Sequence, residues 1–218
     1  MAPAINDVKL RTDADDGRGM KVTKAKAAEN RERILAGAAR LFREQGVSGV
    51  GVDALAEAAG LTHGSLYSQF GSKERLAEAA LQHALTTSAA RLGDARSLED
   101  YVARYLTADH RDRRGDGCVV AALGSEMPRH AMALRRGFTG AVRAMVGRIA
   151  GLLPAGRSSE DAALAAAATM VGALTLARAV DDPALSDRIL AAARTALASG
   201  DEAAATASRG STRHGAER

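Results

Sequence analysis

The chain has 218 residues, of which 46% are hydrophobic and only 3% aromatic, with one cysteine and no tryptophan. An intrachain disulfide and a zinc site built on several thiolates of one chain are therefore excluded, and alanine, leucine, valine and methionine must fill the core, which favours close-packed helices over sheets. The formal net charge is +4, and the basic excess comes early: residues 21–75 carry nine Lys or Arg against six Asp or Glu, whereas residues 151–199 carry four against five. That distribution suits a nucleic-acid partner without specifying one.

Residues 1–24 mix Pro, Gly, Asp, Lys and Arg without periodicity and read as a disordered arm. They lack the apolar run of a secretory signal, which together with the lone thiol points to a cytoplasmic chain. A first helix is predicted over residues 29–46, ENRERILAGAARLFREQG, with Asn30 as N-cap and Gly46 as stop. Ile34, Ala38, Leu41 and Phe42 form its apolar face. After the short connection VSGVG, a second helix is expected over Val52–Ala59, broken by Gly60. Thr62 can cap a third over His63–Phe70, which Gly71 ends. Ser72 can cap a fourth from Lys73 to about Arg91.

The third helix is unusual, because only Leu66 and Phe70 can face a core. Gly64 removes a side chain near its N-terminus and lets the backbone approach a surface. Thr62, His63, Ser65 and Gln69 offer hydrogen-bonding groups, and Tyr67 offers a hydroxyl suited to a phosphate oxygen. Lys73 and the backbone N–H groups of the next helix form a second phosphate site. Helix, tight turn at a glycine, helix is the helix-turn-helix layout, in which the second helix enters the major groove. The spacing taken alone also fits a solvated turn between core helices.

Residues 31–85 resemble the DNA-binding domain of the TetR family of bacterial regulators. The resemblance is carried by LF at 41–42, AEAAG at 56–60, GSLYSQF at 64–70 and SKE at 72–74, in that order and spacing. It implies an all-helical, two-domain homodimer that represses transcription until a small ligand releases it. It also implies that Thr62, His63, Ser65, Tyr67 and Gln69 touch DNA, that Gly64 lies among them, and that Lys73 meets a phosphate. The family usually places Thr or Ser just before the second helix. Here it is Gly51, which can still cap at small cost but offers no side-chain phosphate contact.

Further along, residues 97–108 are amphipathic, HRDRRGDG reads as a charged loop, and residues 117–130 read as a buried helix ending near Pro128. A long helix is expected over 130–153, and two more over 162–179 and 183–198. The apolar run 162–177 is broken by Thr169, Gly172 and Thr175 and reads as a buried helix, with no membrane span. The last two helices are rich in small residues, such as Ala165–Ala168, Gly172, Ala173 and Ala191–Ala193. They fit ordinary packing or, as the resemblance implies, a homodimer seam matching a palindromic operator.

Met127, Phe138, Met145 and Met170 are either plain core or the lining of an adaptable pocket for an unknown small-molecule effector. Cys118 follows Arg111, Arg113 and Arg114 and starts a helix, a setting for a redox-sensing thiol or for a small buried hydrophobe. Ser125, Glu126, His130 and Cys118 share a short segment, but no nucleophile elbow or phosphate loop surrounds them. The five histidines are scattered. No enzyme, metal or cofactor is expected. The reading is an all-α chain. A three-helix DNA-binding domain over 28–88, with its motif at about 51–70, precedes a ligand-binding and dimerisation bundle over 97–198 and a flexible tail at 200–218.

Overall fold

Helices form wherever apolar residues recur every three or four positions, and alanine lets them pack closely. A computed structural model describes residues 24–91, 94–153 and 159–211, and among these every regular element is helical. Most of the expected arm and the last seven residues of the expected tail, 212–218, lie outside the described residues.

Helix α1 spans Lys24–Gln45 and begins earlier than the sequence suggests. Asn30 does not cap it. It lies inside the helix, where its Oδ1 accepts a hydrogen bond from Arg33 at 2.9 Å, because the preceding Lys, Ala and Glu residues are themselves strong helix formers. Ile34, Ala38, Ala39 and Phe42 are buried. Gly46, at φ +78°, turns the chain out of the helix. Helices α2 (Val52–Ala58), α3 (His63–Phe70) and α4 (Lys73–Arg91) follow. Helix α4 packs on α1 at one side and, further along, on the long helix α8 (Met132–Leu152). It therefore belongs to the core of both halves.

Three expectations are corrected in the middle of the chain. The amphipathic segment does not continue to residue 108: helix α5 covers Leu98–Tyr105 only. Thr107 starts a new turn of helix instead, its Oγ1 accepting from the His110 amide at 3.1 Å. The charged stretch is thus largely helical, as α6 (Ala108–Asp112) and a 3-10 turn at Arg114–Asp116. The single helix expected over 117–130 is α7 (Val119–Leu123) followed by a separate 3-10 turn at Met127–Arg129. Pro128, in that turn, has no N–H to continue a helical ladder.

Helix α9 (Glu160–Ala179) is capped by Ser159, whose hydroxyl accepts from the Ala162 amide at 3.1 Å. By length and composition α9 could cross a bilayer; in this fold it packs against α7, α8 and α10 (Pro183–Ser211). Helix α10 runs past residue 198, where the sequence pattern ends it, through Ser211.

Candidate nucleic-acid interface and cavity

The turn between α2 and α3 is built from local signals. The Gly60 amide donates to the Glu57 carbonyl at 2.9 Å and the Leu61 amide to the Ala56 carbonyl at 2.9 Å, while Gly60 takes φ +64°. Thr62 is the N-cap of α3, its Oγ1 accepting from the Ser65 amide at 3.3 Å. Leu66 is fully buried and Phe70 nearly so, which fixes the rotation of the helix. Everything else on α3 then points outward. His63, Gly64, Ser68 and Gln69 are exposed, Ser65 is half-buried, and Tyr67 keeps 42% of its surface.

This face is locally braced. The His63 and Tyr67 rings lie 5.1 Å apart, and the hydroxyls of Thr62 and Ser65 share a hydrogen bond of 2.9 Å. Lys73 is half-buried at the start of α4, beside Ser72, whose hydroxyl accepts from the Arg75 amide at 3.2 Å. Arg31, which the sequence does not single out, sets its guanidinium 4.6 Å from the centre of the Phe70 ring. It adds an exposed cation beside the end of α3.

Gly51 caps α2 in an extended conformation, φ −76° and ψ 159°, without a side-chain hydrogen bond. A Cβ there would meet nothing within 4 Å. Gly51→Thr is accordingly expected to gain a few tenths of a kcal/mol in stability, the cap difference between Thr and Gly. It should also tighten binding to DNA by adding a hydroxyl at a helix N-terminus. Urea unfolding and a duplex titration check both; unchanged or weaker DNA binding would contradict the expectation.

A cavity of about 370 Å³ lies between α5, the 106–118 segment and α8. Its walls include Leu85, Val119, Ala141 and Met145, with Tyr101, Tyr105 and Arg148 supplying polar atoms. Tyr105 is 1% exposed, and its hydroxyl is buried beside the Cys118 thiol with no oxygen or nitrogen partner. Burial pushes the Tyr101 hydroxyl up to about 12 and that of Tyr105 well above the ordinary phenol value, with the nearby Cys118 thiol adding to both. Both phenols are therefore held as donors. His110 is committed to structure. Its Nε2 accepts from the Cys118 amide at 2.9 Å, so Nδ1 carries the proton it gives to the Tyr105 carbonyl at 2.6 Å.

The 106–116 segment is clamped from one side by α9 and α10. Arg178 donates to the carbonyls of His110 and Arg111 at 2.6 and 3.1 Å, and burial lowers its pKa from the usual guanidinium value. Arg111 reaches Ser186 and Asp187 at 2.9 and 2.7 Å, and Arg194 donates to the Leu106 carbonyl. From the other side, Arg43 of α1 donates to the Gly115 carbonyl at 2.6 Å. A second link runs from Glu126 to the turn after α1. Its carboxylate accepts from the Val47 amide at 2.8 Å and stands 3.3 Å from His130 Nε2.

Of the residues singled out as a pocket, only Met145 lines the cavity. Met127 and Met170 are sealed in the core on the inner faces of their elements, and Phe138 packs on that core near Gly124. Cys118 is half-buried in the cavity wall, with its amide tied to His110. Tyr101, Tyr105 and Arg148 were not picked out from the sequence. Two of the chain's three tyrosines spaced four apart on one helix were the signal available.

Residues 34–80 match the family model for bacterial regulatory proteins of the tetR family. Over 92 residues, 40% of this chain, the sequence is 39% identical to the HTH-type transcriptional regulator SrpR of Pseudomonas putida, of whose length the match spans 43%. It is 38% identical over 92 residues to the uncharacterized HTH-type transcriptional regulator TtgW of the same species, covering 40% of this chain and 69% of that one. A TetR transcriptional regulator from Chloroflexus aurantiacus superposes with a TM-score of 0.67 at 26% identity, over 80% of this chain and 95% of the other.

Proposed function

This chain belongs to the TetR family of bacterial regulatory proteins, DNA-binding regulators of transcription, and from that premise we propose that it is a repressor released from a palindromic operator by a small molecule. The observation that carries the reading is α3. A short helix is held by two buried residues, Leu66 and Phe70, and turns a braced, polar, tyrosine-bearing face to solvent. In this reading Thr62, His63, Ser65 and Gln69 face base edges around Gly64, while Tyr67 and Lys73 hold phosphates. Arg31 joins them as a further phosphate contact. Two copies pair through α9 and α10, whose Leu164, Leu176 and Leu185 are 41–58% exposed in the single chain and are flanked by alanines that allow close approach. The effector sits in the cavity beneath α5, and the protein works in the cytoplasm, where its DNA is.

The test is a titration of the full chain against DNA upstream of its own gene, with a scrambled duplex as control, at several salt concentrations. A specific repressor binds its own DNA more tightly and weakens as salt rises, because phosphate contacts release counterions. Equal weak binding to both duplexes, persisting after selection from random DNA, would sink the reading. Within that assay Tyr67→Phe is expected to cost about tenfold in operator affinity, the size of one hydrogen bond to a charged oxygen. The exposed hydroxyl makes no structural demand, so urea unfolding should stay within about 0.5 kcal/mol of the parent. Unchanged operator affinity in that variant would remove Tyr67 from the interface.

A further inference from the structure

We propose that the cavity beneath α5 is built for a small apolar carboxylate, whose acid group meets the Tyr105 hydroxyl and the Arg148 guanidinium. The inference rests on the reading above, in which a small molecule acts through this cavity, and it names the chemistry of that molecule.

Donors are in excess inside. The Tyr105 hydroxyl is buried with no oxygen or nitrogen to receive its proton; beside it is only the Cys118 thiol, a weak partner that an acceptor oxygen would better. Arg148 brings a fixed positive charge to the same wall, 5.8 Å from the centre of the Tyr101 ring. The acceptors are already occupied. His110 Nε2 takes the Cys118 amide. Asp116 and Asp109 are held by Arg113 at 2.8 and 3.7 Å. Both carboxylates of the lining therefore already face a cation. Around the donors, Leu85, Val119, Ala141 and Met145 offer an apolar surface, and about 370 Å³ suits a compact body at the small end of ligand pockets.

The experiment is calorimetric titration of the full chain with three probes of one shape: 4-phenylbutyrate, 4-phenylbutanamide and 4-phenylbutylamine. The acid is expected to bind at least tenfold more tightly than the amide, with the amine weakest. Tyr105→Phe removes a hydroxyl whose neighbour is only the weakly bonding Cys118 thiol, so it should fold with stability close to the parent's. It should bind the acid about tenfold more weakly, as loss of a hydrogen bond to a charged oxygen requires. Arg148→Gln should erase the preference for acid over amide. The proposal is overturned if the amide or amine binds as tightly as the acid, if none of the three binds, or if Tyr105→Phe leaves acid affinity unchanged. Operator titrations run alongside separate this from the parent reading. Acid binding with these preferences but no DNA release would uphold the cavity chemistry and remove only ligand-controlled repression. DNA release by the amine or amide alone would do the reverse.

Discussion

Leu66→Ala is expected to abolish operator binding and to destabilise the N-terminal helices by about 2–5 kcal/mol, the range for emptying a buried leucine site. Leu66 has no exposed surface, and with Phe70 it is what attaches an eight-residue helix to α2 and α4. A helix that short does not persist in water by its own propensity. Its rotation, and hence which side chains reach a groove, is set by those two contacts alone. The loss is comparable with a large share of a domain's total stability, so the effect should appear in urea unfolding and in the operator titration together. Tyr67→Phe, one residue along but exposed, should weaken DNA binding and leave unfolding alone. A Leu66→Ala variant that loses less than 1 kcal/mol, or that binds operator normally, would show that α3 is held by something other than its buried face.

The bounds of α3 were legible because their causes are local. Thr62 caps, Gly71 stops, and an apolar pair four apart chooses the inner face, all within ten residues. Where a cause is distant the sequence is silent. Asn30 is a different, local case: it has the chemistry of a cap, yet the helix-forming residues just before it carry α1 back to Lys24. Thr107, within the segment that reads as one amphipathic helix, caps a new helix that runs into the charges expected as a loop, because the segment is held by Arg178, Arg111, Arg114 and Arg194 through partners 64–88 residues apart. Tyr101 and Tyr105 share the apolar face of α5 and read as core, and they are buried. That the Tyr105 hydroxyl finds no oxygen or nitrogen partner follows only from what surrounds it. The methionines left two readings open, core or pocket lining, and both occur: Met127 and Met170 are buried in the core, while Met145 lines the cavity.

The same limit hid the role of Glu126, and replacing it should have the other large effect. Glu126 stands in the sequence beside Ser125 and near His130, a grouping that no catalytic motif surrounds. Its carboxylate instead accepts from the Val47 amide, 79 residues away, at 2.8 Å, and from the Ser48 amide at 3.5 Å. Gly46 makes room for it: a Cβ there would stand 3.0 Å from Glu126 Oε2, at a φ of +78° that already favours glycine. Glu126→Ala leaves the amide of buried Val47 without an acceptor, at a cost of about 1–3 kcal/mol. It also cuts a polar link between the turn after α1 and the bundle that holds the cavity; another joins Arg43 to the Gly115 carbonyl. Asp116, next to Gly115, lines the cavity, so the Arg43 link ends one residue from the cavity wall and the Glu126 link acts in parallel. Hydrogen exchange at the Val47 amide should accelerate at least tenfold in Glu126→Ala, and effector-dependent release of operator should shrink while direct operator affinity is kept, since no DNA-facing side chain changes. Glu126→Gln retains one acceptor oxygen for the Val47 amide and should recover much of both. Protection at Val47 that survives the alanine exchange would mean that the turn after α1 is held without Glu126, and that coupling between the two halves does not depend on this link.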